Sequence, residues 1–280
     1  MKKRKKVWIV LLSVVLGLTA LICGTYFTTK LNTVNVEFRT RLDEDETRLA
    51  SGILDAVKDS GEFNYKDSVL FMDIEKSISK IEKSNPYVKV QQVVRKFPNK
   101  LNVYISERVP KYRIVDKEDS ETWLILDEDF KVLEKITNTE LLSQRLDEKT
   151  VEVKYISEKI EVGEFLAEGM EKDNLNTILS GVYGRTKDYF AVRSIDYSKD
   201  NDTFYVTMRA SVEKQDGTIR YEGGCVIEIQ GTNNLKQRAL NATSVYVGDG
   251  NHLADKDLSK KVTIISGENG CIVKNQGIGE

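Results

Sequence analysis

The first segment of the chain decides where the rest of it folds. Residues 7–27, "VWIVLLSVVLGLTALICGTYF", carry no charged side chain. Wound as a helix rising about 1.5 Å per residue, such a run crosses a hydrocarbon core of about 30 Å. The blander reading is a cleaved signal peptide, but the run is long for one and no small-x-small cleavage site follows it before Thr28. Cys23 invites a lipoprotein reading, against which stand the bulky Leu21 and Ile22 before it. We therefore expect a retained transmembrane helix over residues 7–29. Lys2, Lys3, Arg4, Lys5 and Lys6 form a basic N-terminus, residues 1–6, that holds this end in the cytoplasm and sends everything after Lys30 to the other side.

Charge narrows the function classes. The formal net charge is −2, and the five basic residues before the apolar run leave −7 for the remainder. An acidic body argues against a nucleic-acid surface, whose affinity comes mostly from neutralising phosphates. Of the three cysteines, Cys23 lies in the span. Cys225 and Cys271 lie in the exported part, where a disulfide and two buried thiols are both open readings. No Cys-x-x-Cys spacing points to a metal.

Periodicity divides the exported part. "TVNVEF" alternates Val34, Val36 and Phe38 as a strand. Residues 43–59 space Leu49, Ile53, Leu54 and Val57 as a helix with acids crowding its first turn. A second helix carries Leu70, Ile74, Ile78 and Ile81. "YVKVQQVVRKF" and "KLNVYISER" read as antiparallel strands joined at Pro98 and Asn99. Leu101, Val103 and Ile105 are expected to face the helices, and Asn102, Tyr104 and Ser106 to face outward. Glu107 and Arg108 point to opposite sides and predict two separate contacts, and Pro110 ends the ladder. The order is β-α-α-β-β, with Leu49, Ile53, Ile74, Ile78, Leu101, Val103 and Ile105 in one core.

Beyond it the pattern is β-rich. "TWLILD" and "FKVLEKI" form a hairpin around Asp127–Asp129, and Leu175, Ile178, Leu179 and Val182 share one helix face. "SIDYS", "TFYVTMRASVE" and "TIRYEGGCVIEIQ" read as strands, the last two joined at Asp216 and Gly217. A short helix, "NNLKQRALNATSV", precedes a final pair, "KVTIIS" and "CIVK". The expected fold class is α+β: an N-terminal transmembrane helix, a first domain over 33–110, a second β-rich domain over 111–274, and a loose tail over 275–280.

Residues 88–110 carry a resemblance. Val93 (or Val94), Arg95, Phe97, Pro98, Leu101, Val103, Ile105, Glu107, Arg108 and Pro110 are similar to the strand-turn-strand signature of the POTRA domain in the bacterial division proteins FtsQ and DivIB. "LILDEDFKVLE" resembles the hairpin that follows in that family, with Phe130 where the family has glycine. The match is good over residues 1–135, and beyond them it is one of pattern. The resemblance implies a non-enzymatic scaffold of the division machinery in the bacterial cell membrane at the septum. It implies no cofactor and no small-molecule substrate, and as partners FtsB/DivIC-like and FtsL-like single-span proteins. It also implies that the end of the second domain receives a partner strand at a sheet edge. The residues that fit are Val262, Thr263, Ile264, Ile265, Cys271, Ile272 and Val273, an almost uncharged pair of strands.

Catalytic constellations are weak. The single histidine, His252, stands in a Gly/Asp/Asn loop. Ser77 and Lys80 have the Ser-x-x-Lys spacing of penicillin-binding proteins, without the partner boxes. A POTRA-bearing transport factor would need a β-barrel of many strands, for which the mixed α and β pattern after Lys131 is unsuited. A membrane-anchored extracytoplasmic sensor or enzyme of unknown ligand is the alternative to the scaffold, and it requires a polar pocket after residue 130.

Overall fold

The computed structural model describes residues 2–43, 47–137, 150–167, 169–188, 191–209, 211–213, 219–221, 225–247, 261–268 and 270–276. The chain is α+β and divides into two compact units, Met1–Arg108 and Val109–Glu280.

The first unit begins with α1 (Lys2–Thr28). Its stretch Leu11–Thr28 is long and apolar enough to span a membrane. Every side chain in that stretch is exposed, so the helix buries no face against the described residues of the chain. After it come β1 (Thr33–Thr40), α2 (Ile53–Ser60), α3 (Ile74–Ser84), β2 (Val88–Lys96) and β3 (Lys100–Glu107). The sheet order is β1-β3-β2, with β1 parallel and β2 antiparallel to β3. Val34, Val36, Val57, Phe63, Val69, Ile81, Val88, Leu101, Val103 and Ile105 are buried in one core, and Leu49, Ile53 and Ile74 pack on it half-buried.

The expected helix over 43–59 is shorter than its periodicity. α2 starts only after Gly52, whose φ of 80° is left-handed, because the preceding donors are engaged elsewhere: the Leu42 and Arg48 amides donate to the Glu107 carboxylate. Asp43, expected in the first helical turn, therefore lies outside it, and residues 44–46 lie outside the described residues. α3 starts at Ile74, where Asp73 accepts from the Lys76 amide as N-cap. Leu70, expected on that helix, precedes it and is exposed. Ile78 is only half-buried, and Ser77 takes the inward position. Ser106, expected outside, is buried and accepts a hydrogen bond from Gln91.

The second unit carries β4 (Tyr112–Asp116), β5 (Trp123–Leu126), β6 (Val132–Ile136), β7 (Val151–Glu158), α4 (Met170–Thr186), β8 (Val192–Ser198), β9 (Thr203–Met208), β10 (Ser211–Glu213), β11 (Ile219–Tyr221), β12 (Val226–Gln230), α5 (Leu235–Val247), β13 (Lys261–Gly267) and β14 (Gly270–Gln276). Nine strands form one sheet in the order β14-β13-β12-β9-β8-β7-β4-β5-β6, and β10 pairs with β11 apart from it. The strand expected over "TFYVTMRASVE" is thus two, β9 and β10, and its expected turn at Asp216 and Gly217 lies outside the described residues. β14 runs through Asn275 and Gln276, into the stretch expected to be a loose tail.

The core joins the sheet to α4 and α5 through Leu175, Ile178, Val182, Leu235, Ala239 and Ala242. Gly181 permits the approach of the two helices, since a Cβ there would stand 2.7 Å from Ala239 Cβ and 2.9 Å from the Lys236 carbonyl oxygen. In the β5–β6 hairpin Phe130 adopts φ 63°, the left-handed conformation that explains the family's glycine at this place. Its ring is buried and stacked on Tyr112 at 4.7 Å. Packing therefore offsets a backbone cost of about 1–2 kcal/mol.

Candidate functional site

The nine-stranded sheet ends in two edges that differ. On one, the start of β6 is covered: the Val132 amide donates to Glu164 O, the Gly163 amide to Val132 O, and the Leu166 amide, just before the strand, to Phe130 O. On the other, β14 pairs, among the described residues, with β13 alone. That pairing runs from Lys261↔Gln276 to Gly267↔Gly270 and includes Ile264↔Val273 and Ile265↔Ile272.

β13 is not an edge. It lies between β14 and a parallel β12, with Thr263 opposite Val226 and Ile264 opposite Ile227. Its backbone faces are thus both used, and Thr263 and Ile264 are buried. Of the residues read as a partner-receiving strand pair, Val262, Thr263, Ile264 and Ile265 therefore do not lie on the edge strand itself, which is β14. They back it instead. The exposed positions are on β14, where Ile272 is 61% and Val273 42% exposed and Cys271 is half-buried.

Arg238 on α5 holds this corner together, and nothing in the sequence reading singled it out. Its guanidinium donates to the Gln230 carbonyl at the end of β12 and pairs with Glu268 in the β13–β14 turn at 3.5 Å. Ser266 Oγ donates to the Arg238 carbonyl at 3.1 Å. The only sequence signal was a charged residue on the inward face of a short helix. Beside it opens a polar cleft lined by Asn234, Gln237, Arg238, Asn241 and Glu268.

The thiols are free. Cys225 precedes β12, and burial pushes its thiol up from the ordinary 9.0 to about 12. Cys271 Sγ lies 3.6 Å from Ser266 Oγ.

The POTRA-like signature acquires physical roles. Arg95 reaches from β2 to the Val69 and Met72 carbonyls at 2.9 and 3.0 Å, fastening the loop before α3. Phe97 precedes a cis Pro98 at the hairpin turn and is exposed, whereas Leu101 is fully buried. The Glu107 carboxylate accepts from Thr47 Oγ1 and the Arg48 and Leu42 amides. Arg108 instead pairs with Glu82 at 2.9 Å and donates to Val88 O. The two neighbours make separate contacts, as opposite strand faces require. Pro110 is half-buried in the link to β4.

The Ser-x-x-Lys spacing brings nothing together. Ser77 is buried, and Lys80 engages Glu62. His252 lies outside the described residues. Among the described residues no group of His, Cys, Asp and Glu has the arrangement of a metal site.

No curated protein matches the chain. Residues 29–108 match the family described as POTRA domain, FtsQ-type, and these bounds enclose the β1-to-β3 fold and the Arg95, Glu107 and Arg108 contacts. Residues 29–108, which lie within the first unit, are therefore a POTRA domain of the FtsQ type.

Proposed function

We propose that the protein is a non-enzymatic, membrane-anchored scaffold of the bacterial division machinery. Its N-terminus is cytoplasmic, its two exported units lie at the septum, and it binds FtsB/DivIC-like and FtsL-like single-span proteins. The FtsQ-type POTRA domain beside one spanning helix supports the division role, and the basic residues 2–6 support the orientation. The domain limits go with this reading: 33–110 for the POTRA domain and 111–274 for the partner-binding domain.

The observation that carries the binding mode is the contrast between the two sheet edges. β6 is occupied by the chain itself at its start, while β14 offers Cys271, Ile272 and Val273 on a side that no other strand among the described residues shares. A partner strand laid along it gains backbone hydrogen bonds, and alternate side chains select the sequence. Thr263, Ile264 and Ile265 supply the rigid backing. Val273→Pro tests this: Gly267 and Gly270 close the turn as a bonded pair, so Ile272 is bonded to Ile265 and the Val273 N–H points away from β13; proline there removes an outward donor and imposes its own φ at the edge. Purified protein carrying it is expected to keep its circular dichroism and to lose at least about tenfold in affinity for the FtsB/DivIC-like partner, about 1.4 kcal/mol. A folded variant that binds at full affinity puts the site elsewhere.

A further inference from the structure

The residues that leave α1 are clasped by the domain that follows. Thr29 Oγ1 lies 2.5 Å from Ser68 Oγ. The Val69 amide donates to Thr29 O at 2.8 Å and the Leu31 amide to Asp67 O at 2.9 Å. Tyr26, in the last turn of α1, donates its hydroxyl to Lys66 O at 3.3 Å. The loop over 62–73 is thereby held against the end of the helix.

The β2–β3 turn belongs to the same pole. Arg95 binds that loop through Val69 O and Met72 O. The Asn32 and Thr33 amides both donate to the Asn99 carbonyl, so the turn sits beside the first residues after the helix.

On this pole stand Tyr65, Leu70, Phe71 and Phe97, exposed by 53, 40, 75 and 63%. Among the described residues of the first unit outside α1, these are the large hydrophobic side chains that are exposed. A soluble domain scatters such residues singly over its surface. Here they gather where the chain emerges from the membrane. Lys66, Lys96 and Lys100 are exposed in the same segments, and Lys30 Nζ lies 4.8 Å from the Phe27 ring. Of the loop's acids, Glu62 is engaged by Lys80 and Asp73 caps α3, which leaves Asp67 among the lysines.

We propose that this pole is a docking surface for the lipid headgroup layer of the membrane that α1 crosses, with Phe71 and Phe97 seated at the boundary between headgroups and acyl chains and the lysines on anionic phosphates. Aromatic rings favour that layer because one side of it is apolar and the other wet. Lysine stems lie along the apolar region while their ammonium groups reach the phosphates. The domain then rests on the bilayer, and the clasp around Thr29 sets its height. The inference rests on reading α1 as a spanning helix.

Full-length protein in vesicles of phosphatidylethanolamine and phosphatidylglycerol, with acyl chains brominated near the headgroup, tests it. Phe71→Trp and Phe97→Trp are read against the parent, which supplies the signal of Trp8 and Trp123, and against Ser84→Trp at the exposed end of α3. The expected result is blue-shifted emission and loss of most of the intensity for tryptophan at 71 and at 97, and neither for tryptophan at 84. Protein that floats with the vesicles after alkaline washing, yet shows no more quenching at 71 and 97 than at 84, overturns the docking and leaves the span intact. Protein that fails to float overturns the span, and the docking with it.

Discussion

The ion pair at the end of β3 offers the sharpest energetic test. Arg108 and Glu82 meet at 2.9 Å with side-chain exposures of 3% and 15%. Arg108→Met takes the cation from a largely buried carboxylate, and breaking a buried pair from one side costs about 3–5 kcal/mol. Glu82→Met takes the carboxylate from the guanidinium and also orphans the Val90 amide, which donates to Glu82 at 2.8 Å, so it costs at least as much. The double variant has no unpaired charge. Its losses include the hydrogen bonds to Val88 O and from Val90 N, each about 0.5–1.5 kcal/mol, set against two methionine side chains gained by the core. It is therefore expected to be only about 1–3 kcal/mol below the parent, less than either single change. Hydrogen exchange of the β2 and β3 amides in the intact protein reads these differences, at about tenfold in rate per 1.4 kcal/mol. Arg108→Met should then accelerate the slowest amides by about a hundredfold to a few thousandfold. If the two single effects simply add in the double variant, the side chains are not coupled and the reasoning fails.

Three further outcomes follow from the packing. Ile105→Asp sets a carboxylate in the buried core of the first unit, beside the paired Phe38 and Val90, and should cost several kcal/mol, enough to unfold the POTRA unit; an unchanged melting temperature would put that residue on the other face. At Phe130, replacement by Ala or Gly removes the ring stacked on Tyr112 at about 3–5 kcal/mol. Only Gly also relieves the left-handed backbone, so thermal unfolding should rank the Gly variant about 1 kcal/mol above the Ala variant, and the reverse order would refute the strain. For Cys225 the folded thiol ionises near 12 instead of 9.0, so burial of the neutral form stabilises fully below pH 9.0 and is lost as pH rises toward 12. Urea titrations should show that alkaline loss shrinking in Cys225→Ala.

Much of the POTRA unit was legible because its strands bury one face each. Leu101, Val103 and Ile105 alternate without exception, and all three are fully buried. The helix over 43–59 was overread for the opposite reason: Leu49, Ile53 and Val57 repeat at helical spacing whether or not the backbone between them is helical. What decides the boundary is Glu107, far along the chain, which takes the Arg48 and Leu42 amides. No local pattern carries that information. The same limit applied to the end of the chain. β13 and β14 were visible as strands, but which is an edge depends on β12 arriving parallel beside β13, a long-range pairing that alternation does not encode. Ser77 in the inward place of α3 was likewise invisible to a count of apolar spacings.

Arg238 has a kinetic meaning beyond its contacts. It pins the turn between β13 and β14 through Glu268 and grips the end of β12 through Gln230, while Ser266 ties β13 back to its helix. A hairpin secured at its root stands ready in extended form before any second chain arrives. Under the proposed strand addition, the ordering entropy of association falls on the incoming chain alone, so that chain's own disorder sets the speed of capture and the number of backbone rungs along β14 sets the lifetime of the complex.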